Sequence, residues 1–138
     1  MRKIEFCVCG EPQGKARPRV IGRHAYTPEK TVAYENRIRL AYKAAAHGAP
    51  PAEKGSTLQI AITAYYAIPQ KASRAIRDLM QAGTIRPTKK PDVDNVGKVV
   101  LDALNGIAYH DDAQVTELII CKYYDNDPRI HIRMDIDE

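Results

Sequence analysis

The stretch KKPDVDNVGKVVLDALNGIAYHDD, residues 89–112, constrains the fold more than any other part of this sequence. Its apolar residues recur at the 3.6-residue spacing of an α-helix that buries one face. These positions are Val96, Val99, Val100, Ala103 and Leu104. Gly106 is suited to end such a helix. The spacing therefore predicts a helix over 93–105, whose opposite face carries Asp94, Lys98 and Asp102.

Four other segments have the patterns of β-strands. Residues 3–9 alternate between apolar and polar side chains, and residues 57–68 are rich in β-branched and aromatic residues. The same enrichment marks residues 115–125 and 129–136, which a short turn with Asn and Pro separates. We expect these last two strands to form an antiparallel hairpin.

Two further helices are predicted between the strands. Thr27 followed by Pro28 is typical of a helix N-cap and a first helical residue. That helix should continue to about His47, where the sequence GAPP stops it. A short basic helix should span residues 72–82 and end at Gly83.

The predicted elements follow the order β-α-β-α-α-β-β. Residues 10–30, with their glycines and prolines, should form a long loop after the first strand. A chain of 138 residues can bury a core of its own, so we expect one domain over residues 1–138. The order predicts an α+β domain in which helices pack against a mixed four-stranded sheet.

The charges of the chain are divided between its two parts. Residues 1–91 carry 17 Lys and Arg against 6 Asp and Glu, whereas residues 92–138 carry 4 against 11. The positive charge concentrates in GKARPRVIGR, residues 14–23, and in residues 71–90. Either run alone is typical of a solvated face. Both runs beside an acidic cluster indicate a polyanionic ligand, held by cations near a metal-binding carboxylate site.

The amino terminus and the cysteines indicate a cytoplasmic protein. The apolar run within MRKIEFCVCG is too short for a signal peptide or a membrane span, so no association with membranes is expected. Three cysteines do not suggest a disulfide framework. Cys7 and Cys9 have the spacing of strand neighbours on one face, and we expect all three to be buried, reduced thiols.

Several common motifs are excluded by their spacing. A calcium-binding EF-hand loop that started at Asp92 would have Val96 and Ala103 where it needs oxygen ligands. GEPQGK is too short for a phosphate-binding glycine loop and lacks the Ser or Thr that follows it. The four histidines lack the spacing of metal ligands, and no serine stands in a nucleophile-elbow sequence.

A hard-cation site remains the best interpretation of the aspartates. Asp92 and Asp94 would lie at a helix N-terminus, where the helix dipole favours negative charge, but two carboxylates so close still repel each other. The bend in IAYHDD can bring Asp111 and Asp112 back towards them. Mg²⁺ prefers one or two carboxylates with water and phosphate oxygens, so Asp92, Asp94 and one of Asp111 and Asp112 form a plausible partial ligand shell.

Lys98 and Asp102 have two interpretations. Lys98, one turn after Asp94, could orient a nucleophilic water or stabilise charge in a phosphoryl-transfer transition state. Alternatively, Asp94, Lys98 and Asp102 form a ladder of surface ion pairs, with Asp92 as the helix cap. We favour the ion-pair ladder for Asp102 and the metal for Asp92 and Asp94.

The sequence resembles a known family at these residues. KPDVDNVGKVVLDALNG followed by AYHDDAQV, residues 90–115, is similar to the signature of the RusA-type Holliday junction resolvases. GKARPRV and AYTPEKTVAYENRIR resemble the amino-terminal part of many members. The resemblance implies an Mg²⁺-dependent endonuclease of DNA recombination and repair, often encoded by prophages, which cuts four-way DNA junctions as a homodimer and needs no small-molecule cofactor.

The resemblance also implies roles for individual residues. The three essential carboxylates of the family fall on Asp92, Asp94 and Asp112, and its motif lysine falls on Lys98. The turn before Asp111 is shorter here than in some members, which leaves open whether Asp111 or Asp112 reaches the metal; we prefer Asp112. Backbone phosphates of the junction would be held by cations that flank the site. These are Lys15, Arg17, Arg19, Arg23, Lys89 and Lys90.

Two other functions are compatible with parts of the sequence. A non-catalytic protein that binds branched DNA would keep the basic face, but the complete set of three aspartates and a lysine argues against it. A sugar-nucleotide transferase would use Asp92 and Asp94 as a metal-bound DxD pair. A chain this short leaves little room for the nucleotide and acceptor sites of such an enzyme.

Overall fold

The computed structural model describes residues 1–138, which form six strands and three α-helices. The strands are β1 (Arg2–Cys9), β2 (Arg19–Ile21), β3 (His24–Tyr26), β4 (Thr57–Ala67), β5 (Val115–Asp125) and β6 (Arg129–Asp137). The helices are α1 (Glu29–Ala46), α2 (Arg74–Gln81) and α3 (Val93–Leu104), and a 3₁₀ turn, Asp112–Gln114, precedes β5. No helix has both the length and the apolar character needed to cross a membrane.

Four of the strands form one mixed sheet in the order β1-β6-β4-β5. β6 is antiparallel to both of its neighbours, β1 and β4, whereas β5 runs parallel to β4. The connection from β4 to β5 contains α2 and α3, because parallel neighbours need a long crossover. The predicted α+β class, with helices and a mixed four-stranded sheet, is confirmed.

The predicted hairpin between β5 and β6 is wrong. The two strands run in opposite directions, but β4 lies between them and pairs with both. Only residues 126–128 connect β5 to β6. Four peptide units reach about 15 Å, which is enough to pass over the end of one intervening strand and its two spacings of about 4.8 Å. A short connection therefore did not distinguish neighbouring strands from strands one place apart.

The loop predicted for residues 10–30 contains a small hairpin of β2 and β3. Gly22 has φ +61 in the two-residue turn, a conformation that favours glycine. Val20 and Ile21 supply β-branched residues to the first strand, and both remain exposed. The hairpin therefore forms from local pairing and contributes nothing to the buried core.

The helices α1 and α2 begin one or two residues later than predicted. Pro28, with ψ 142, is the N-cap of α1 in place of Thr27, and its carbonyl oxygen accepts hydrogen bonds from the N–H groups of Thr31 and Val32. α2 begins at Arg74 because the Ser73 hydroxyl caps it, accepting from the Ile76 N–H at 3.3 Å.

The main core lies between one face of the sheet and the helices α1 and α3. The stripe of α3 predicted from the sequence is fully buried there, together with Tyr34, Ile38 and Tyr42 of α1. The opposite face of the sheet carries all three cysteines. Cys7 and Cys9 share that face as predicted, but both are exposed and Cys121 is half-buried, so the expectation of buried thiols is wrong.

Two buried tyrosines give a test of this core. The Tyr42 hydroxyl is buried without a hydrogen-bond partner, whereas the Tyr109 hydroxyl donates to the Leu101 carbonyl oxygen at 2.6 Å. Tyr42→Phe should raise the free energy of unfolding by about 1 kcal/mol, and the matched change Tyr109→Phe should lower it by about 1 kcal/mol. Chemical denaturation measures both values. Equal effects of the two changes would contradict the assigned hydrogen bonding.

Candidate functional site

The N-terminus of α3 is tied to the sheet by a hydrogen bond to Pro91, just before the helix. The Tyr66 hydroxyl of β4 donates to the Pro91 carbonyl oxygen at 2.7 Å. The pKa of Tyr66 is raised to about 12, mainly by burial and further by the charges of Glu11 and Asp92. This hydroxyl therefore stays protonated and can donate. Asp92 occupies the N-cap, but its side chain makes no capping hydrogen bond and remains exposed.

An open cavity of about 330 Å³ lies between α3 and the start of β5. Its charged lining consists of Asp94, Lys98, Asp102 and Asp112. Leu118 and Ile120 of β5 form its apolar side. Gly97 permits the close approach of the two elements, because a Cβ atom there would lie 2.7 Å from Ile120 Cδ1. We call this space the acidic cavity.

The carboxylates of the acidic cavity hold negative charge that is only partly compensated. The pKa of the Asp112 carboxyl is raised, and the largest cause is desolvation. A hydrogen bond with Asp111, charge repulsion from Asp111 and the charge of Asp102 raise it further. Asp112 lines the cavity and Asp111 does not. Asp111 instead starts the 3₁₀ turn, where its N–H donates to Gln114 Oε1 at 3.3 Å.

Asp92 lies outside the lining of the acidic cavity, although Asp94 follows it by two residues at the same helix N-terminus. No three His, Cys, Asp or Glu side chains stand close enough together to hold a metal ion as they are placed. The chemistry of the donors nevertheless fits a hard cation, because carboxylates of Asp94 on α3 and Asp112 in the turn before β5 line one open space. The crowding of negative charge that raises the pKa of the Asp112 carboxyl is repulsion that a bound divalent cation would relieve.

Asp102 takes part in a different contact from the predicted ladder. Lys15 Nζ lies 3.2 Å from Asp102 Oδ2 and 3.0 Å from Glu35 Oε2 of α1. Burial lowers the pKa of Lys15, but the two carboxylates outweigh it, so the net pKa is raised and the ammonium stays charged. Lys98 forms no salt bridge, so the ladder through Asp94, Lys98 and Asp102 is absent.

A second open space of about 580 Å³ lies on the other side of the α3 N-terminus. Cationic side chains dominate its lining, and we call it the cationic groove. They are Lys15, Arg17, Arg19, Lys30 and Lys90. Pro91 and Asn95 form the wall that borders α3. Five cations around one groove match a phosphate-bearing polyanion.

The loop that carries Lys15 and Arg17 is held tightly to α3. The Lys15 N–H donates to the Asn95 carbonyl oxygen at 3.1 Å. Gly14 is required at this point, since a Cβ atom there would lie 2.9 Å from the Cβ atoms of both Asn95 and Pro91. The groove and the acidic cavity therefore share one rigid border, the first turn of α3.

Comparison with known proteins identifies the family to which this chain belongs. Residues 10–135 match the family described as Endodeoxyribonuclease RusA. The chain belongs to the RusA family. The uncharacterized protein YqaN of Bacillus subtilis (strain 168) is 34% identical over 135 residues, which cover 94% of this chain and 93% of that protein. Membership of the RusA family implies a nuclease that acts on DNA, and nucleases of the family generally depend on divalent metal ions.

Most residues predicted from the RusA signature lie at the two spaces described above. Asp94, Lys98 and Asp112 meet at the acidic cavity, and Asp92 stands at the entrance of α3. Of the predicted DNA contacts, Lys15, Arg17, Arg19 and Lys90 line the cationic groove.

Two of the predicted DNA contacts lie elsewhere. Arg23 is exposed in the turn of the β2–β3 hairpin. Lys89 accepts a hydrogen bond at its carbonyl oxygen from Lys122, and its Nζ lies 5.8 Å from the centroid of the Tyr66 ring. Neither residue lines the groove.

Sequence reasoning missed two charged residues of the candidate site. Lys30 of the first turn of α1 lines the cationic groove, but it stands outside both basic runs of the sequence. Glu35 is buried on α1 and pairs with Lys15 twenty residues before it. A charged residue among the apolar positions of a helix was the one available signal for Glu35.

Separate substitutions of Lys15 and Arg17 should distinguish a residue that stabilises the fold from one that contributes to DNA affinity. Lys15→Met should lower the free energy of unfolding by about 1–3 kcal/mol, because it leaves the buried Glu35 without a partner. Arg17→Met should change that energy by less than about 0.5 kcal/mol. Arg17→Met should also make the plot of log DNA affinity against log salt concentration less steep by about 1, as expected for one lost phosphate contact. Chemical denaturation measures the two changes in unfolding energy, and salt titration of DNA binding measures the slope. A larger loss of stability from Arg17→Met than from Lys15→Met would refute the pairing of Lys15 with Glu35.

Asp112→Asn should raise the melting temperature at pH 7 by roughly 1–3 °C, because solvent screening keeps the relieved repulsion below about 1 kcal/mol. A raised carboxyl pKa means that the folded state disfavours ionisation. The gain should therefore vanish below the ordinary carboxyl pKa and grow as the pH rises through the raised one. Thermal melts from pH 3 to pH 7 measure it, and a lower melting temperature at pH 7 would show that Asp112 stabilises the fold.

Proposed function

We propose that this chain, as one domain of residues 1–138, is an Mg²⁺-dependent endonuclease that resolves four-way DNA junctions in recombination and repair. The observation that supports this most strongly is the meeting of Asp94, Lys98 and Asp112 at one cavity beside a groove of five cations. Carboxylates that share a partly desolvated space favour a divalent cation, and the cations favour phosphate. Together they fit phosphodiester hydrolysis.

In this proposal Asp92, Asp94 and Asp112 hold the metal. Asp112 is the third ligand rather than Asp111, since Asp112 faces the acidic cavity. When bound, Mg²⁺ would supply a water of lowered pKa and neutralise charge on the reacting phosphate. The positive end of the α3 dipole adds to that neutralisation, because the cavity opens beside the first turn of the helix.

Lys98 is the proposed source of positive charge from the protein itself. Its side chain is exposed and free of salt bridges, so its ammonium can turn towards a phosphate in the acidic cavity. An ammonium there would orient the attacking water or stabilise the extra negative charge of the transition state. Asp102 is occupied by Lys15 and is proposed to position the loop rather than to hold the metal.

The cationic groove is the proposed path of the DNA backbone. Arg17, Arg19, Lys30 and Lys90 would each neutralise a phosphate, which gives affinity without sequence information. Because the groove and the acidic cavity border the same turn of α3, a strand in the groove would pass the carboxylates. Two paired nicks require two such sites, and we propose that the active form is a homodimer.

Asp94→Asn tests the metal assignment on a synthetic four-way junction. The substitution removes one carboxylate charge and keeps the shape of the side chain, so the nicking rate should fall at least about 100-fold while junction binding in EDTA persists. Asp137→Asn is the matched control, because Asp137 is an exposed aspartate of β6 without a salt bridge. It should nick as fast as wild type. Gel assays with Mg²⁺ and with EDTA measure both rates.

The result against the proposal is equally specific. If Asp94→Asn nicks the junction at the wild-type rate, the carboxylates are not the metal site. If wild type binds the junction tightly but never nicks it with Mg²⁺, the chain is a binding protein that keeps the fold.

A further inference from the structure

A second concentration of positive charge lies beside β5, which is an edge strand of the sheet and packs against α2. Residues 71–90 carry six Lys and Arg against one Asp, and Lys90 is the one cation among them that lines the cationic groove. Lys122 of β5 adds a further cation next to this segment. We call the cations outside the groove the basic ridge. They are Lys71, Arg74, Arg77, Arg86, Lys89 and Lys122.

Three cations of the basic ridge are held by tyrosine rings and backbone oxygens. Arg86 Nε donates to the Lys122 carbonyl oxygen at 2.9 Å, and its guanidinium carbon lies 4.0 Å from the centroid of the Tyr123 ring. Lys122 Nζ donates to the Lys89 carbonyl oxygen at 2.5 Å. The ammonium nitrogens of Lys122 and Lys89 lie 5.0 and 5.8 Å from the centroid of the Tyr66 ring. These contacts fix the positions of three charges along the edge of β5.

The charge of the basic ridge is not neutralised within the chain. None of its six cations forms a salt bridge. The hydrogen bonds of Arg86 and Lys122 each use one N–H group, so both side chains keep donors for an anion. The ridge therefore fits a phosphate polyanion, as the cationic groove does.

The carboxylates of the candidate site lie between the cationic groove and the basic ridge. The groove borders the first turn of α3 at Pro91 and Asn95. The acidic cavity lies between α3 and the side chains of Leu118 and Ile120 on β5. Lys122 is the next residue of β5 that points to the same face, because side chains alternate along a strand. Positive charge therefore flanks the carboxylates on both sides.

The basic ridge turns around the edge of the sheet. Tyr66 belongs to the buried face, so Lys122 and Lys89 stand on the side of α3. Tyr123 points to the opposite face, so Arg86 reaches around the edge strand. A straight duplex in the cationic groove would run past the α3 side and leave the far part of the ridge without a phosphate. A DNA arm that diverges from the first would follow the ridge.

We propose that the basic ridge binds the phosphates of a second arm of a four-way junction, while the cationic groove holds the first arm. The strand that crosses from one arm to the other at the branch would then pass the carboxylates of α3. This inference deepens the proposed function and rests on it for the substrate, but it concerns binding and not cleavage. Linear duplex has no diverging arm and would occupy the groove alone. The ridge would thus provide the preference for branched over linear DNA.

DNA binding in EDTA tests the basic ridge separately from nicking. The variant Lys71→Gln, Arg74→Gln, Lys89→Gln removes three exposed cations that form no salt bridge. Its affinity for a four-way junction should fall at least about 10-fold at 0.1 M salt, and the plot of log affinity against log salt should become less steep by about 2–3. Affinity for linear duplex of the same arm sequence should change less than about 2-fold. Fluorescence anisotropy measures both.

Two comparisons show whether the effect is local and depends on charge. The control Lys3→Gln, Lys43→Gln, Lys54→Gln removes the same charge from exposed lysines outside the ridge and the groove, and it should bind both DNAs like wild type. Exchanging Lys for Arg and Arg for Lys at the three ridge positions should keep wild-type affinity for the junction. Arg17→Met in the groove should weaken binding of junction and duplex alike. Thermal melts establish that all variants are folded.

Three results would overturn the inference. An equal loss of affinity for junction and duplex in the ridge variant would show that the ridge is part of one continuous duplex site. Wild-type affinity of the ridge variant for the junction would show that no arm lies there. An equal loss in the control variant would show that only the net charge of the chain matters.

The failure of this inference differs from the failure of the proposed function. A chain that binds the junction through the ridge but never nicks it with Mg²⁺ would refute the nuclease and support the second-arm surface. A chain that nicks the junction, and whose ridge variant binds it like wild type, would support the nuclease and refute the second-arm surface.

Discussion

The packing of α3 against the sheet fixes the position of the candidate site. Val96, Val99 and Val100 are completely buried, so the helix cannot rotate without exposing them. That fixed orientation leaves Asp94 and Lys98 on the side next to β5, at the acidic cavity. A packing interaction of apolar residues thus decides where the charged groups of the site stand.

The first turn of α3 also divides two kinds of charge. Negative charge faces the acidic cavity, where Asp112 has a raised pKa, and positive charge faces the cationic groove. Lys15 joins the two regions, since it lines the groove and pairs with Asp102 and Glu35. A divalent metal and a DNA phosphate would satisfy the two regions together. On the proposed function, this division would let one small domain bind a polyanion and cut it.

The sequence predicted features that depend on local spacing. The stripe of α3, the strand pattern of β4 and the fold class follow from periodicity, and each was confirmed. The hairpin of β5 and β6 was wrong because strand order depends on which edge of β4 is free, and no local pattern records that. Lys30 was missed for a related reason: only the fold brings α1 to the groove.

The order of residues alone specifies the chemistry of the site: which carboxylates and cations the chain has, and the helical spacing that keeps Asp94 and Lys98 on one face. Folding then selects the partners of these groups. In the folded chain Asp112, rather than Asp111, lines the acidic cavity, and Asp102 forms a salt bridge with Lys15. One face of the sheet remains exposed. These outcomes depend on contacts between residues far apart in the chain, whose energies arise only when packing brings them together.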